Sequence, residues 1–137
     1  MASARLLHTM LRVADLDASL DFYVRVLGMD LHRRQDFPEG RFTLAFVGFD
    51  RERSSAVIEL THNWDQHRYE HGDAYGHVAV GVADVYAFAE AIAQRGAKIV
   101  RPPGPLNGDP SEIIAFIEDP DGYRIELVQR SADWGVG

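Results

Sequence analysis

His8-Thr9-Met10-Leu11-Arg12-Val13-Ala14-Asp15 and His77-Val78-Ala79-Val80-Gly81-Val82-Ala83-Asp84 are two versions of one phrase, set 69 residues apart. Each begins with histidine, continues as a short strand and ends on Val-Ala-Asp. An amphipathic stretch follows each. Leu16, Leu20, Tyr23 and Leu27 recur at steps of four, three and four; Val85, Phe88 and Ile92 recur at steps of three and four. Both spacings give one apolar helical face. Asp15 and Asp84 stand where N-caps belong, and Gly28 and Gly96 stand where glycine ends a helix.

Three strand-like runs follow each glycine. The first set is Leu31–Arg34, Phe42–Gly48 and Ala56–Thr61; the second is Lys98–Arg101, Ile113–Glu118 and Arg124–Val128. Asp119-Pro120-Asp121-Gly122 has the chemistry of a tight turn. Each half therefore reads βαβββ. The expected fold is α+β, with two such modules in tandem within one domain spanning 1–137. Module one covers about 5–62, a linker 63–76 and module two about 77–130. The tail Ser131–Gly137 reads as a mobile end.

Composition narrows the function. Of 137 residues, 46% are hydrophobic and 26% charged, which excludes wholesale disorder. With 14 Lys+Arg against 21 Asp+Glu the net charge is −7, so nucleic acid is not the expected partner. Cysteine is absent. That removes disulfides, thiol catalysis and thiolate metal sites, and leaves nitrogen and oxygen to hold any metal. The most apolar window, Ala74–Ala93, is broken by His77, Asp84 and Glu90. It reads as strand then helix, not as a membrane span. A cytoplasmic location is the expectation.

Four residues stand out. Glu59 lies among Val57, Ile58 and Leu60, and Glu126 lies between Ile125 and Leu127. A lone Glu or His on a strand is ordinarily a solvated or core residue. Duplication changes that reading, because two copies of one module carry His8 and Glu59, then His77 and Glu126, at equivalent points. If the sheets curl around one cavity, the four side chains converge. Two imidazoles and two carboxylates suit a divalent first-row metal with positions left for water or substrate. His32, His62, His67 and His71 do not repeat and read as solvated. Trp64 reads as a packing residue, and Phe42, Phe46 and Phe116 as core.

The stretches Leu6–Val13, Asp21-Phe22-Tyr23, Val26–Met29, Glu59–Trp64, Tyr75-Gly76-His77 and Asp119–Glu126 closely resemble the glyoxalase I family of the vicinal oxygen chelate superfamily. The likeness runs from about residue 5 to 130 and implies that fold, with curled sheets enclosing a metal site. It implies that His8, Glu59, His77 and Glu126 are metal ligands at the subunit interface of a homodimer. His8 and Glu59 would come from one subunit, His77 and Glu126 from the other. Arg12, Asn63 and Arg101 fall on positions that bind glutathione. Zinc-type members carry Gln where this chain has His8 and contain extra segments. The compact chain is more similar to the bacterial type, which implies Ni²⁺ as activator, Co²⁺ next and Zn²⁺ third. Those zinc enzymes also place an arginine four residues before the second His; this chain has Asp73 there.

The activity implied is glyoxalase I: the hemithioacetal of methylglyoxal and glutathione becomes S-lactoylglutathione through an enediolate. Glu126 would be the catalytic base, with Glu59 equivalent to it on the opposite face of the substrate. Rival readings are another metalloenzyme of the superfamily, such as an extradiol dioxygenase, or a non-catalytic binding module on the same fold. A dioxygenase needs two His and one carboxylate, and here Glu59 offers a fourth ligand.

Overall fold

A computed structural model describes residues 3–137, and the chain divides at Glu70 and His71 into two compact units. In the first unit β1 (His8–Arg12) leads to helix α1 (Leu16–Leu20), which widens into a π-type helix over Asp21–Val26. Strands β2 (Asp30–Phe37), β3 (Phe42–Gly48) and β4 (Val57–Asn63) follow. The second unit repeats the order with β5 (Val78–Val82), α2 (Val85–Gln94), β6 (Lys98–Leu106), β7 (Asp109–Glu118) and β8 (Arg124–Gln129). A 3₁₀ turn, Ala132–Trp134, comes last.

Each unit is one four-stranded sheet, ordered β1-β4-β3-β2 and β5-β8-β7-β6. First and last strands pair in parallel, and the others are antiparallel. The α+β reading and the βαβββ order are therefore both present. Each sheet is open, with its first and second strands as edges, because four strands are too few to close.

The helices begin where the sequence places them. Asp15 Oδ1 accepts from the Ala18 amide and Asp84 Oδ1 from the Ala87 amide, both at 3.1 Å. They end at Gly28 and Gly96, whose φ angles of +88° and +99° favour glycine. The buried face of the first helix differs from the expected one. Phe22 and Val26 are buried beside Leu16, Tyr23 and Leu27, whereas Leu20 is half-buried. The π turn explains the shift: the Leu27 amide donates to the Phe22 carbonyl, five residues back, which rotates the face.

The edge strands are longer than their patterning shows. Strand β6 carries Pro102, Pro103 and Pro105, and its register with β7 slips between Arg101 and Gly104. An edge strand tolerates proline because one side of its backbone needs no ladder partner. His77 lies one residue before β5, whose ladder opens at Val78 opposite Ile125, whereas His8 is already paired with Val57. The tail is not a free end. Arg130 lies over the Trp134 ring at 4.9 Å, and a Cβ built on Gly81 would meet the Val136 side chain at 3.0 Å. Among the described residues no helix is long and apolar enough to cross a membrane.

Alternation gives each sheet two faces. Leu11, Leu60 and Ala45 form a buried row on the helix-covered face of the first. Val80, Leu127 and Ala115 form the matching row in the second. The opposite faces carry the histidines and glutamates. The turn that feeds β8 is fastened by Asp119. Its buried Oδ1 accepts from the amides of Asp121 at 2.9 Å and Tyr123 at 2.8 Å. Asp119→Ala strands both donors and is expected to cost about 2–3 kcal/mol. A urea melt should show an earlier midpoint; an unchanged midpoint would refute this fastening role.

Candidate metal centre

His8 opens β1, and two residues on, Met10 stands opposite Glu59 of β4. In the second unit His77 is likewise two residues before Ala79, which stands opposite Glu126 of β8. One register thus makes each His and Glu diagonal neighbours on the face away from the helix. His8 Nε2 lies 2.6 Å from Glu59 Oε2, and His77 Nε2 lies 3.5 Å from Glu126 Oε1. The imidazoles are partly open at 36% and 42% exposure, while the carboxylates are largely covered at 14% and 20%. Thr61 donates to the other oxygen, Oε1, of Glu59 over 3.4 Å.

These pairs fit a divalent cation. Ligand bonds of about 2.0–2.2 Å place adjacent ligands about 2.8–3.6 Å apart, depending on octahedral or tetrahedral geometry. The His77–Glu126 separation of 3.5 Å falls in that range, and the His8–Glu59 separation of 2.6 Å lies just below it, at hydrogen-bond distance. A largely covered carboxylate also calls for a cation to offset its lost hydration. Each unit supplies one nitrogen and one carboxylate. Among the described residues no three His, Asp or Glu side chains gather as a metal site.

Arg12 and Asn63 share the face of the first pair. Arg12 is four residues beyond His8 and opposite Thr61; Asn63 is four beyond Glu59, at the end of β4. The Asn63 amide donates to the Tyr69 hydroxyl at 3.2 Å. Arg101 stands in the row of Phe116 and Glu126. Its guanidinium donates to the carbonyls of Gly104 (2.9 Å), Ile114 (3.0 Å), Pro105 (2.7 Å) and Pro102 (3.2 Å), tying the irregular part of β6 to itself and to β7.

Several neighbours of the pairs escaped the sequence reading. Phe46 and Phe116 meet His8 and His77 in T-shaped contacts, with centroids 5.6 and 5.3 Å apart. They buttress the imidazoles instead of joining the helix-side core. Arg33 lies flat over Phe46 at 3.7 Å and forks onto Glu52 at 2.8–3.2 Å. That guanidinium holds the Glu52 carboxyl below the ordinary carboxylate range, with smaller pulls from His32 and His8. The signal was available: Arg33 and Arg101 are 68 residues apart, at the repeat interval. His32 is half-buried over Gly48, not solvated, and its Nε2 has no hydrogen-bond partner. His71 stacks on Tyr123 at 4.2 Å. Trp64 is a packing residue as expected, its indole donating to Thr43 Oγ1 at 2.9 Å.

Similarity to known proteins accords with this arrangement. A family model described as the Glyoxalase/Bleomycin resistance protein/Dioxygenase superfamily matches residues 5–127. A lactoylglutathione lyase of Neisseria meningitidis serogroup B is 58% identical over 128 residues, covering 93% of this chain and 92% of its own. The crystal structure of glyoxalase I from Zea mays superposes with a TM-score of 0.89 at 45% identity, over 93% of this chain. This chain spans only 45% of the maize one. The trypanothione-dependent glyoxalase I of Leishmania major matches with a TM-score of 0.84 at 42% identity, over 97% of this chain and 91% of its own.

Proposed function

The chain belongs to the Glyoxalase/Bleomycin resistance protein/Dioxygenase superfamily, and on that premise we propose that it isomerises the methylglyoxal–glutathione hemithioacetal to S-lactoylglutathione. Relatives 52–58% identical over 93–97% of the chain are lactoylglutathione lyases. The observation that carries the reading is the doubled His–Glu pair. A 2-His-1-carboxylate oxygenase would leave Glu59 without a task, and a passive binding module would have no use for either pair.

His8 and Glu59 of one subunit, with His77 of the partner subunit and the partner's Glu126, are the four proposed ligands. When bound, the divalent metal supplies Lewis-acid stabilisation for negative charge building on two neighbouring substrate oxygens. Ni²⁺ is the proposed ion, ahead of Co²⁺ and Zn²⁺, because His8 stands where zinc-type enzymes carry Gln. Glu126 takes the proton from one carbon and returns it to the next. Glu59 stays in place on the opposite side. Arg12 faces the ligand side and pairs with a glutathione carboxylate through its planar fork. Asn63 lies farther along the same face. Arg101, which holds carbonyls through Nη1 and Nη2, is the third proposed contact with glutathione beside Arg12 and Asn63. The net charge of −7 makes such local cations necessary for an anionic substrate. The cytoplasm is the proposed location.

The test is thioester formation from methylglyoxal and glutathione by protein stripped with chelator and reloaded with one metal at a time. Activity should vanish on stripping and return with Ni²⁺ and Co²⁺ above Zn²⁺. Return with Zn²⁺ alone would keep the activity and overturn the choice of metal. If folded, metal-loaded protein were silent with glutathione but active with trypanothione, the thiol would be reassigned.

A further inference from the structure

We propose that Arg33 is a positioning residue that acts through Phe46 to hold His8 and Glu59 ready for the metal. The inference rests on the metal-centre reading above and extends it to a residue outside the ligand set. Arg33, Phe46, Glu59 and Met10 form one row across all four strands of the first sheet, on the face that carries His8. The Arg33 guanidinium is held twice. Its flat face covers the Phe46 ring at 3.7 Å, and its edge forks onto Glu52, in the loop after β3, at 2.8–3.2 Å. Phe46 beneath it is 4% exposed, and its ring stands at 80° to the His8 ring.

The geometry explains why such a brace is needed. His8 is the first residue of an edge strand, with its imidazole 36% exposed. Its orientation depends on Glu59 to one side and on the Phe46 ring to the other. Phe46 in turn faces β2, the opposite edge, and Arg33 lies over it from there. A guanidinium suits the task because it stacks and forks at once, which an ammonium cannot do.

The second unit supplies the comparison. Phe116 meets His77 at 76° and 5.3 Å, and Arg101 occupies the row position of Arg33. There the guanidinium turns to the carbonyls of Gly104, Ile114 and Pro105. The pair with the Arg33 brace closes to 2.6 Å, and the pair whose arginine is engaged elsewhere stands at 3.5 Å. The proposed brace thus goes with the closer His–Glu pair, and the wider pair lacks it.

The bland reading is an exposed ion pair that adds little. Co²⁺ uptake by the full-length protein, followed by the visible absorption of the bound ion, separates the two. Arg33→Met and Phe46→Leu are each expected to weaken Co²⁺ binding about tenfold, as loss of a ligand-orienting partner does. The double variant should be no weaker than either single one, because both act on one element. Arg33→Lys should not rescue. Glu52→Gln, which frees the guanidinium without touching the stack, gives the same readout at reduced size if Arg33→Met fails to fold. Thermal melts in each sample check that the fold persists. Co²⁺ affinity of Arg33→Met within about twofold of the parent, or additive losses in the double variant, would overturn the proposal. Parent protein that takes up no Co²⁺ would strike the metal-centre reading instead, and this inference with it.

Discussion

Glu126→Gln is expected to lower kcat by about 10²–10⁴-fold, or about 3–5 kcal/mol of barrier, with metal still bound. The substitution keeps an oxygen able to ligate and keeps the side chain's length. It removes the one property that proton transfer requires, an anionic oxygen that becomes an acid. The backbone there is firmly held: Ile125 and Leu127 are 1% and 0% exposed, and β8 is paired on both sides by β5 and β7. The variant should therefore fold as the parent does. Glu59→Gln, in the pair that closes to 2.6 Å, should lose metal before it loses turnover per bound metal. Measuring metal content and kcat on the same samples separates the two effects. Near-normal turnover of metal-loaded Glu126→Gln would remove Glu126 from the role of base.

The same pairs show what the sequence carries and what it hides. The His8–Glu59 and His77–Glu126 pairs were legible because repetition supplies a control: one His and one Glu on strands mean little, and the same two at nearly the same spacing twice, 51 and 49 residues, point to one arrangement made twice. Strand register then turns spacing into contact, since residues two apart on β1 face a common partner on β4. Arg33 was hidden for a physical reason. It lies on an edge strand whose residues are mostly exposed, so no alternation marks which way it points. Phe46 and Phe116 read as core because burial of an aromatic ring leaves one signature, whichever face of the sheet it covers. The π turn after Leu20 leaves no mark in a search for a 3.6-residue period, and it moved the buried face onto Phe22 and Val26. Arg101 stands at a position matched by resemblance, and its Nη1 and Nη2 also donate to carbonyls of the proline-rich strand and of β7, a structural duty that the spacing of the sequence does not show.

Mixing the inactive variants His8→Ala and His77→Ala should restore activity. Each variant alone loses one nitrogen ligand from every site and is expected to be silent. In a two-fold dimer whose sites each draw His8 and Glu59 from one subunit and the other pair from its partner, the mixed dimer has one doubly damaged site and one intact site. Full subunit exchange makes half the dimers mixed, so recovery should approach about a quarter of the parent's activity. If both pairs of a site came from a single chain, every site in the mixture would still lack one imidazole, and no exchange could repair it. The result is thus a yes or no on how the ligands are shared. Each unit contributes one imidazole and one carboxylate and the proposed metal takes two of each, so the chemistry allows a site completed within one chain or between two, and the mixture separates these cases. Recovery rising with incubation time, and abolished when Glu126→Gln is added to the His8→Ala chain, would locate the restored site. That chain supplies the intact site with both His77 and Glu126. A mixture that stays silent after exchange, verified by native mass spectrometry, would refute the shared site.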